Sequence, residues 1–295
     1  MSEVSQLKLA QRGAYLSLIV YIVSAIVKYT VGYVYHSAAV RADGLNNMTD
    51  IIVSVAVIVG LKISIKPADR NHPYGHLKSE NIASLLVAFI IMYVGLEVII
   101  SNAPRILNKT YEQPNILTLY VSLASGIVII AVYFVNHKLA QRTKSSSLKS
   151  AAKDNLSDGL VSIGTAVGLI FTQIGFPIMD VIIAMILGVI ILYTGFTIFR
   201  EAVFTLSDGF NEQALEAYKA DILEVADVMH VASIKGRYHG SSIFVDVTIV
   251  VDEHLSLKEA HDICDDVEVH LHNKGISSVY VHPEPYESAV HEINK

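Results

Sequence analysis

The chain has 295 residues, of which 52% are hydrophobic and only 17% charged, with a mean hydropathy of +0.47 and a net charge of −6. Soluble globular chains carry about 25% charged residues, so the composition excludes a disordered, collagenous or nucleic-acid-binding chain and points to a polytopic membrane protein. A single cysteine, Cys264, excludes a disulfide framework and any CxxC metal cage.

A membrane-crossing helix needs about 20 mostly apolar residues. In chain order, the expected spans are 14–35, 38–61, 82–103, 116–136, 151–175 and 178–199. The first runs in directly from the N-terminal stretch, so no cleavable signal peptide is expected. The second and fifth are interrupted by polar residues. Lys8 and Arg12 precede span one. Lys62, Lys66, Arg70 and Lys78 follow span two, and Lys138, Arg142, Lys144, Lys149 and Lys153 follow span four. The opposite side carries Arg41, Arg105 and Lys109. The positive-inside rule then places both termini in the cytoplasm.

Charge changes sign near Leu206–Asp208. Residues 1–206 carry sixteen Lys and Arg against eleven Asp and Glu, whereas 207–295 carry six against seventeen. The expected domains are a six-helix transmembrane domain over 1–206 and a cytoplasmic domain over 207–295. In the second, 211–227 has helical periodicity, 231–238 and 242–251 read as strands joined at Gly240, 256–273 reads as a helix, and 276–282 as a strand. Ser256 with Glu259 three later makes a capping-box pattern. The order α-β-β-α-β suits a small open-faced α+β sandwich.

An aspartate at mid-bilayer costs about 2.5–3.5 kcal/mol on insertion scales, so it needs a partner or a purpose. Span two holds Asp43, Asn46, Asn47 and Asp50; span five holds Asp154, Asn155 and Asp158. Asn46 and Asp50 are four apart and share a helix face, as do Asp154 and Asp158. Two such pairs facing each other offer three carboxylates and one amide oxygen, which repel unless a divalent cation or protons sit among them. The structural alternative is that the aspartates pair with Lys28, Lys153 or each other. After span two, Asp69, His72 and His76 form a compact cluster suited to a second metal, or else a solvated turn punctuated by Pro73 and Gly75.

With these residues in place, the chain resembles the cation diffusion facilitator family over almost its whole length. The resemblance rests on Lys66-Pro67-Ala68-Asp69 through His72-Pro73-Tyr74-Gly75-His76 and on the paired polar positions of spans two and five. It implies a six-helix membrane domain with a cytoplasmic ferredoxin-like, metallochaperone-like domain, assembled as a homodimer in the cell membrane. It also implies export of divalent metal in exchange for protons. The resemblance assigns Asn46, Asp50, Asp154 and Asp158 to the transport site, and Asp69, His72 and His76 to a loop metal site. Lys78 and Asp208 match a charge pair that locks the membrane halves together. An oxygen-only set suits manganese better than zinc and resembles the manganese-exporting branch, with Zn(II) or Fe(II) the alternative cargo. His261 and His282 match a cytoplasmic binuclear site, with Glu284 where an Asp is usual, but Ala232 and Thr248 stand at usual histidine positions. Metal binding there and a merely solvated acidic surface both stay open. His230, His239, His254, His270, His272 and His291 are the tail's other histidines. Asp43 either lines the outer exit or is a helix-start carboxylate. No cofactor, nucleic acid or catalysis is expected: neither Asp50 nor Asp158 is preceded by the Gly-x-Gly of intramembrane aspartyl proteases. An uncoupled cation channel or a metal sensor is the other alternative.

Overall fold

A computed structural model describes residues 3–143, 146–240 and 242–286. Lys144 and His291 lie outside the described residues, and so does the side chain of Lys8. Helices α1 (Glu3–Val34), α2 (Ala38–Ser64), α3 (Ser79–Leu107), α4 (Ile116–Thr143), α5 (Ser146–Gln173) and α6 (Ile178–Leu206) are each long and apolar enough to cross a membrane. They overrun the expected spans mainly at the ends that carry the Lys and Arg clusters. The least apolar are α5 and α2, with mean hydropathies of 1.2 and 1.6 against 2.6 for α6. These two helices carry Asp43, Asn46, Asn47 and Asp50, and Asp154, Asn155 and Asp158.

The chain divides into two compact units, one of residues 1–56 and 86–197, the other of 57–85 and 198–295. In the first, α5 packs on α4 and α1. Lipid offers no hydrophobic drive between helices, so close backbone approach and polar contacts must hold them. A Cβ on Gly44 of α2 would lie 2.6 Å from the Tyr29 backbone nitrogen of α1. One on Gly159 of α5 would lie 2.5 Å from Ile130 of α4. Both glycines set the spacing around the polar residues described below. Asp180, at the start of α6, is fully buried and caps α2: it accepts from Ser37 Oγ (2.6 Å) and from the backbone N–H groups of Ala38 (2.7 Å) and Ala39 (3.1 Å). A buried carboxylate on a helix N-terminus satisfies otherwise orphaned donors.

In the second unit, α7 (Glu212–Ile222) precedes β1 (His230–His239), β2 (Ser242–Val251), α8 (Leu257–Asn273) and β3 (Ser278–Pro285). The sheet order is β1-β2-β3, with β1 and β2 antiparallel and β2 and β3 parallel across the α8 crossover. The domain is therefore the α+β sandwich that the sequence order indicates. Val245, Val247 and Ile249 point into a core with Ile222, Val267 and Leu271, and Cys264 lies in the same cluster. Both arms of the Ser256–Glu259 capping box are present. Helix α7 is shorter than its periodicity suggests. The chain turns after Ile222 so that Val225 and Val228 pack on the core, and Asp227 takes a left-handed conformation (φ 65°). Strand β3 extends over Pro283 and Pro285, which an edge strand tolerates because proline there forgoes no ladder bond.

Candidate metal centre

The interior polar residues of α1, α2 and α5 converge. Asp158 is held at both oxygens: Tyr21 Oη donates to Oδ2 at 2.5 Å, and Asn46 Nδ2 donates to Oδ1 at 3.2 Å. Asp50 Oδ2 is buried without a hydrogen-bond partner. Asp50 lies within electrostatic reach of both Asp158 and Asp154. Asp154 is the most open of the four, and Asn46, Asp50 and Asp158 are half-buried. The three carboxylates are not drawn into one tight cluster. Among the described residues, the triads whose ligand atoms all lie within 4.8 Å of one another are Asp69–His72–His76 and Asp221–Glu224–His270. Like charges at this depth spread apart, and a dication contracts them only by replacing their mutual repulsion with attraction.

Behind Asp158 stands a buried scaffold that the sequence does not reveal. Asn155 Oδ1 is a second acceptor within reach of Tyr21 Oη (3.2 Å). Asn155 Nδ2 donates to Ser17 Oγ at 2.8 Å, and Asn136 Nδ2 donates to the same oxygen at 2.7 Å. Side chains of α1, α4 and α5 thus fix Tyr21, which fixes Asp158. Two turns from Tyr21 along α1, Lys28 is completely buried and ion-pairs with Asp43 at 3.0 Å. Asp43 is therefore an interior paired carboxylate, with no exposure at a helix start.

The loop cluster is assembled by local turn geometry. Asp69 Oδ1 accepts from the backbone N–H groups of His72 (2.8 Å) and Asn71 (2.9 Å), and Gly75 takes φ +78°. Those N–H groups, that of His72 foremost, hold the Asp69 carboxyl below the usual carboxylate range. His72 Nδ1 lies 3.1 Å and His76 Nε2 3.6 Å from Asp69 oxygens, and the two rings are 4.3 Å apart. Lys78 Nζ donates to Asp208 Oδ1 at 2.8 Å, and this contact depresses the Asp208 carboxyl.

The tail residues His261, His282 and Glu284 are not gathered into such a triad within one chain. His261 is largely exposed beside Asp265 (3.8 Å), and His282 is exposed on β3 opposite Thr248. His270 lies instead with Asp221 and Glu224, where Lys274 Nζ already occupies Asp221 at 2.8 Å. His272 Nδ1 lies 2.8 Å from the Ile276 carbonyl, in the turn that follows α8.

Residues 14–207 match the cation efflux transmembrane domain, and residues 210–286 match the cytoplasmic domain of cation efflux proteins. The chain is 42% identical to an uncharacterized transporter, YdbO, of Bacillus subtilis over 97% of its own length and 99% of that protein's. It is 40% identical to the manganese efflux system protein MneS of the same organism, again over 97% and 99%. With the magnetosome protein MamM of Paramagnetospirillum magneticum it shares 31% identity over 93% of this chain and 88% of that one. Six membrane-length helices among the described residues, an α+β tail and these matches make the chain a multi-pass divalent-metal transporter that belongs to the cation efflux family.

Proposed function

We propose that the protein exports Mn(II) from the cytoplasm in exchange for protons, by alternating access at Asn46, Asp50, Asp154 and Asp158. The observation that carries this reading is the oxygen-donor character of these four residues: Tyr21 and Asn46 hold Asp158, and Asp50 Oδ2 is buried without a hydrogen-bond partner. Hard carboxylate and carbonyl oxygens suit manganese, whereas zinc favours imidazole and thiolate. The manganese efflux role of the relative MneS supports the same cargo.

In the inward-facing state the four residues take the dication. Asn46 turns its amide oxygen to the metal and releases Asp158 Oδ1, while Tyr21 keeps Oδ2 oriented. Helices α2 and α5 then re-expose the site to the outside, where protons on the carboxylates displace the metal. Carboxylates that share one cation titrate as a set, so the proton count belongs to the site and to no single residue. The boundary between membrane and cytoplasmic domains falls at 206/207, with both termini in the cytoplasm of a plasma-membrane homodimer. Lys78–Asp208 ties that dimer. Asp69, His72 and His76 bind a regulatory metal, and His261, His282 and Glu284 complete a tail site only across two copies.

Proteoliposome flux tests this reading. Asp50→Ala and Asp158→Ala should each abolish Mn(II) transport driven by a pH difference while the protein stays folded. Normal flux from either variant removes the site assignment. Flux without proton counter-movement replaces the exchanger with a channel.

A further inference from the structure

Lys28 Nζ sits in an oxygen cage. It donates to Ser162 Oγ at 2.6 Å and to Asn47 Oδ1 at 2.8 Å, and it ion-pairs with Asp43 Oδ2 at 3.0 Å. Lys28, Asp43, Asn47 and Ser162 are all buried to within 1% of complete exclusion from solvent. Ser162 Oγ also reaches Asp43 Oδ1 at 3.3 Å, and Ser122 Oγ donates to the Ser162 backbone carbonyl at 3.2 Å, so α1, α2, α4 and α5 all meet here.

The position of the cage along the helices matters as much as its contents. Asp43 lies seven residues before Asp50 on α2, Lys28 seven after Tyr21 on α1, and Ser162 four after Asp158 on α5. Each step is one or two helical turns in the same direction, about 6–10 Å of rise. Further along the same direction is a cavity of about 470 Å³, lined by Tyr33, His36, Ser37, Arg41, Arg105 and Glu112. Along the helices, therefore, the order is transport residues, Lys28 cage, cavity.

We infer that the Lys28 ammonium is a tethered cation that plugs the outer half of the metal pathway. It fills with the protein's own charge the one-turn-outward position that a departing dication must cross. This rests on the transport site proposed above. While Lys28 occupies the cage, a metal at Asp50 and Asp158 meets a fixed positive charge outward, and external metal cannot step inward. Release to the outside requires α1 to withdraw Lys28 or α2 to carry Asp43 away. A purely structural ion pair makes a different prediction: replacing both charges with a neutral pair of similar volume should leave the barrier intact.

The test uses right-side-out vesicles carrying the full chain, with Mn(II) outside and no pH difference. Lys28→Met/Asp43→Asn removes both charges together and leaves no uncompensated ion. It should admit Mn(II) roughly tenfold or more faster than the unaltered protein, because the buried charge is the barrier. Lys28→Arg should stay tight. A folded double variant as tight as the unaltered protein overturns the plug. If the double variant does not insert, Lys28→Gln/Asp43→Asn decides: it also removes both charges but keeps a polar side chain beside Asn47 and Ser162. A raised leak in that variant supports the plug, and an unchanged leak overturns it. Mn(II) export by the unaltered protein under an imposed pH difference is measured in parallel. Its absence removes the transport reading itself, whereas its presence beside a tight double variant removes only the plug.

Discussion

Tyr21→Phe isolates one hydroxyl. The ring stays and the packed volume of α1 hardly changes, but Asp158 Oδ2 loses the donor that sits 2.5 Å away, and Asn155 Oδ1 loses a neighbour at 3.2 Å. A hydrogen bond to a charged group contributes about 1.5–3 kcal/mol. Outer partners that orient metal ligands are worth about 10–100-fold in affinity, or roughly 1.4–2.8 kcal/mol at 1.4 kcal/mol per decade. The two ranges agree, so the Mn(II) dissociation constant should rise roughly 10–100-fold. Calorimetric titration of Mn(II) into the detergent-solubilised protein reads it directly. His72→Ala/His76→Ala as the common background keeps the loop from contributing heat. Circular dichroism melting separates a lost ligand orientation from a lost fold. An unchanged constant refutes the positioning role of Tyr21. Tighter binding refutes it in the other direction, since it would mean that the phenol competes with the metal for Oδ2.

Asp154→His adds an imidazole to an oxygen-only site and should move transport preference toward Zn(II); an unchanged ratio of Mn(II) to Zn(II) flux places selectivity elsewhere. His72→Ala with His76→Ala should preserve most of the maximal flux while altering its dependence on cytoplasmic metal; complete loss would put the loop in the transport path. Asp208→Asn should lower thermal stability slightly, by about 0–1 kcal/mol for so exposed a pair. The depressed Asp208 carboxyl is ionised above its unfolded value of about 3.9, and its contribution disappears only as pH falls through the lower folded value. The difference between the variant and the unaltered protein should therefore persist from pH 8 to pH 5, growing only modestly as His239 beside Asp208 gains its proton, and its disappearance inside that window contradicts the pairing.

Residues that break a local pattern were legible in the sequence, and residues that matter through packing were not. Asp50 and Asp158 stand out because a carboxylate in an apolar span is costly at any register. The tail strands are equally plain, because Val245, Val247 and Ile249 alternate with polar neighbours and all three are buried. Tyr21 and Ser17 leave no such mark: they are ordinary residues of an apolar helix, and only the approach of α1 to α5 turns them toward Asp158 and Asn155. Lys28 was visible as a lone cation in span one, but its three oxygen partners come from two other helices. Asp180 reads as the first turn of span six, whereas its work is to cap α2 across 141 residues of chain. Asp221 and Glu224 meet His270 only because the chain turns after Ile222, where helical periodicity continues on paper.

The most direct measurement is anomalous scattering at the manganese edge from crystals of the full chain grown with Mn(II). A peak enclosed by the oxygens of Asn46, Asp50, Asp154 and Asp158, absent from Asp50→Ala/Asp158→Ala crystals, is the expected result. Strong peaks at the Asp69–His72–His76 loop or in the tail with none between α2 and α5 would contradict it.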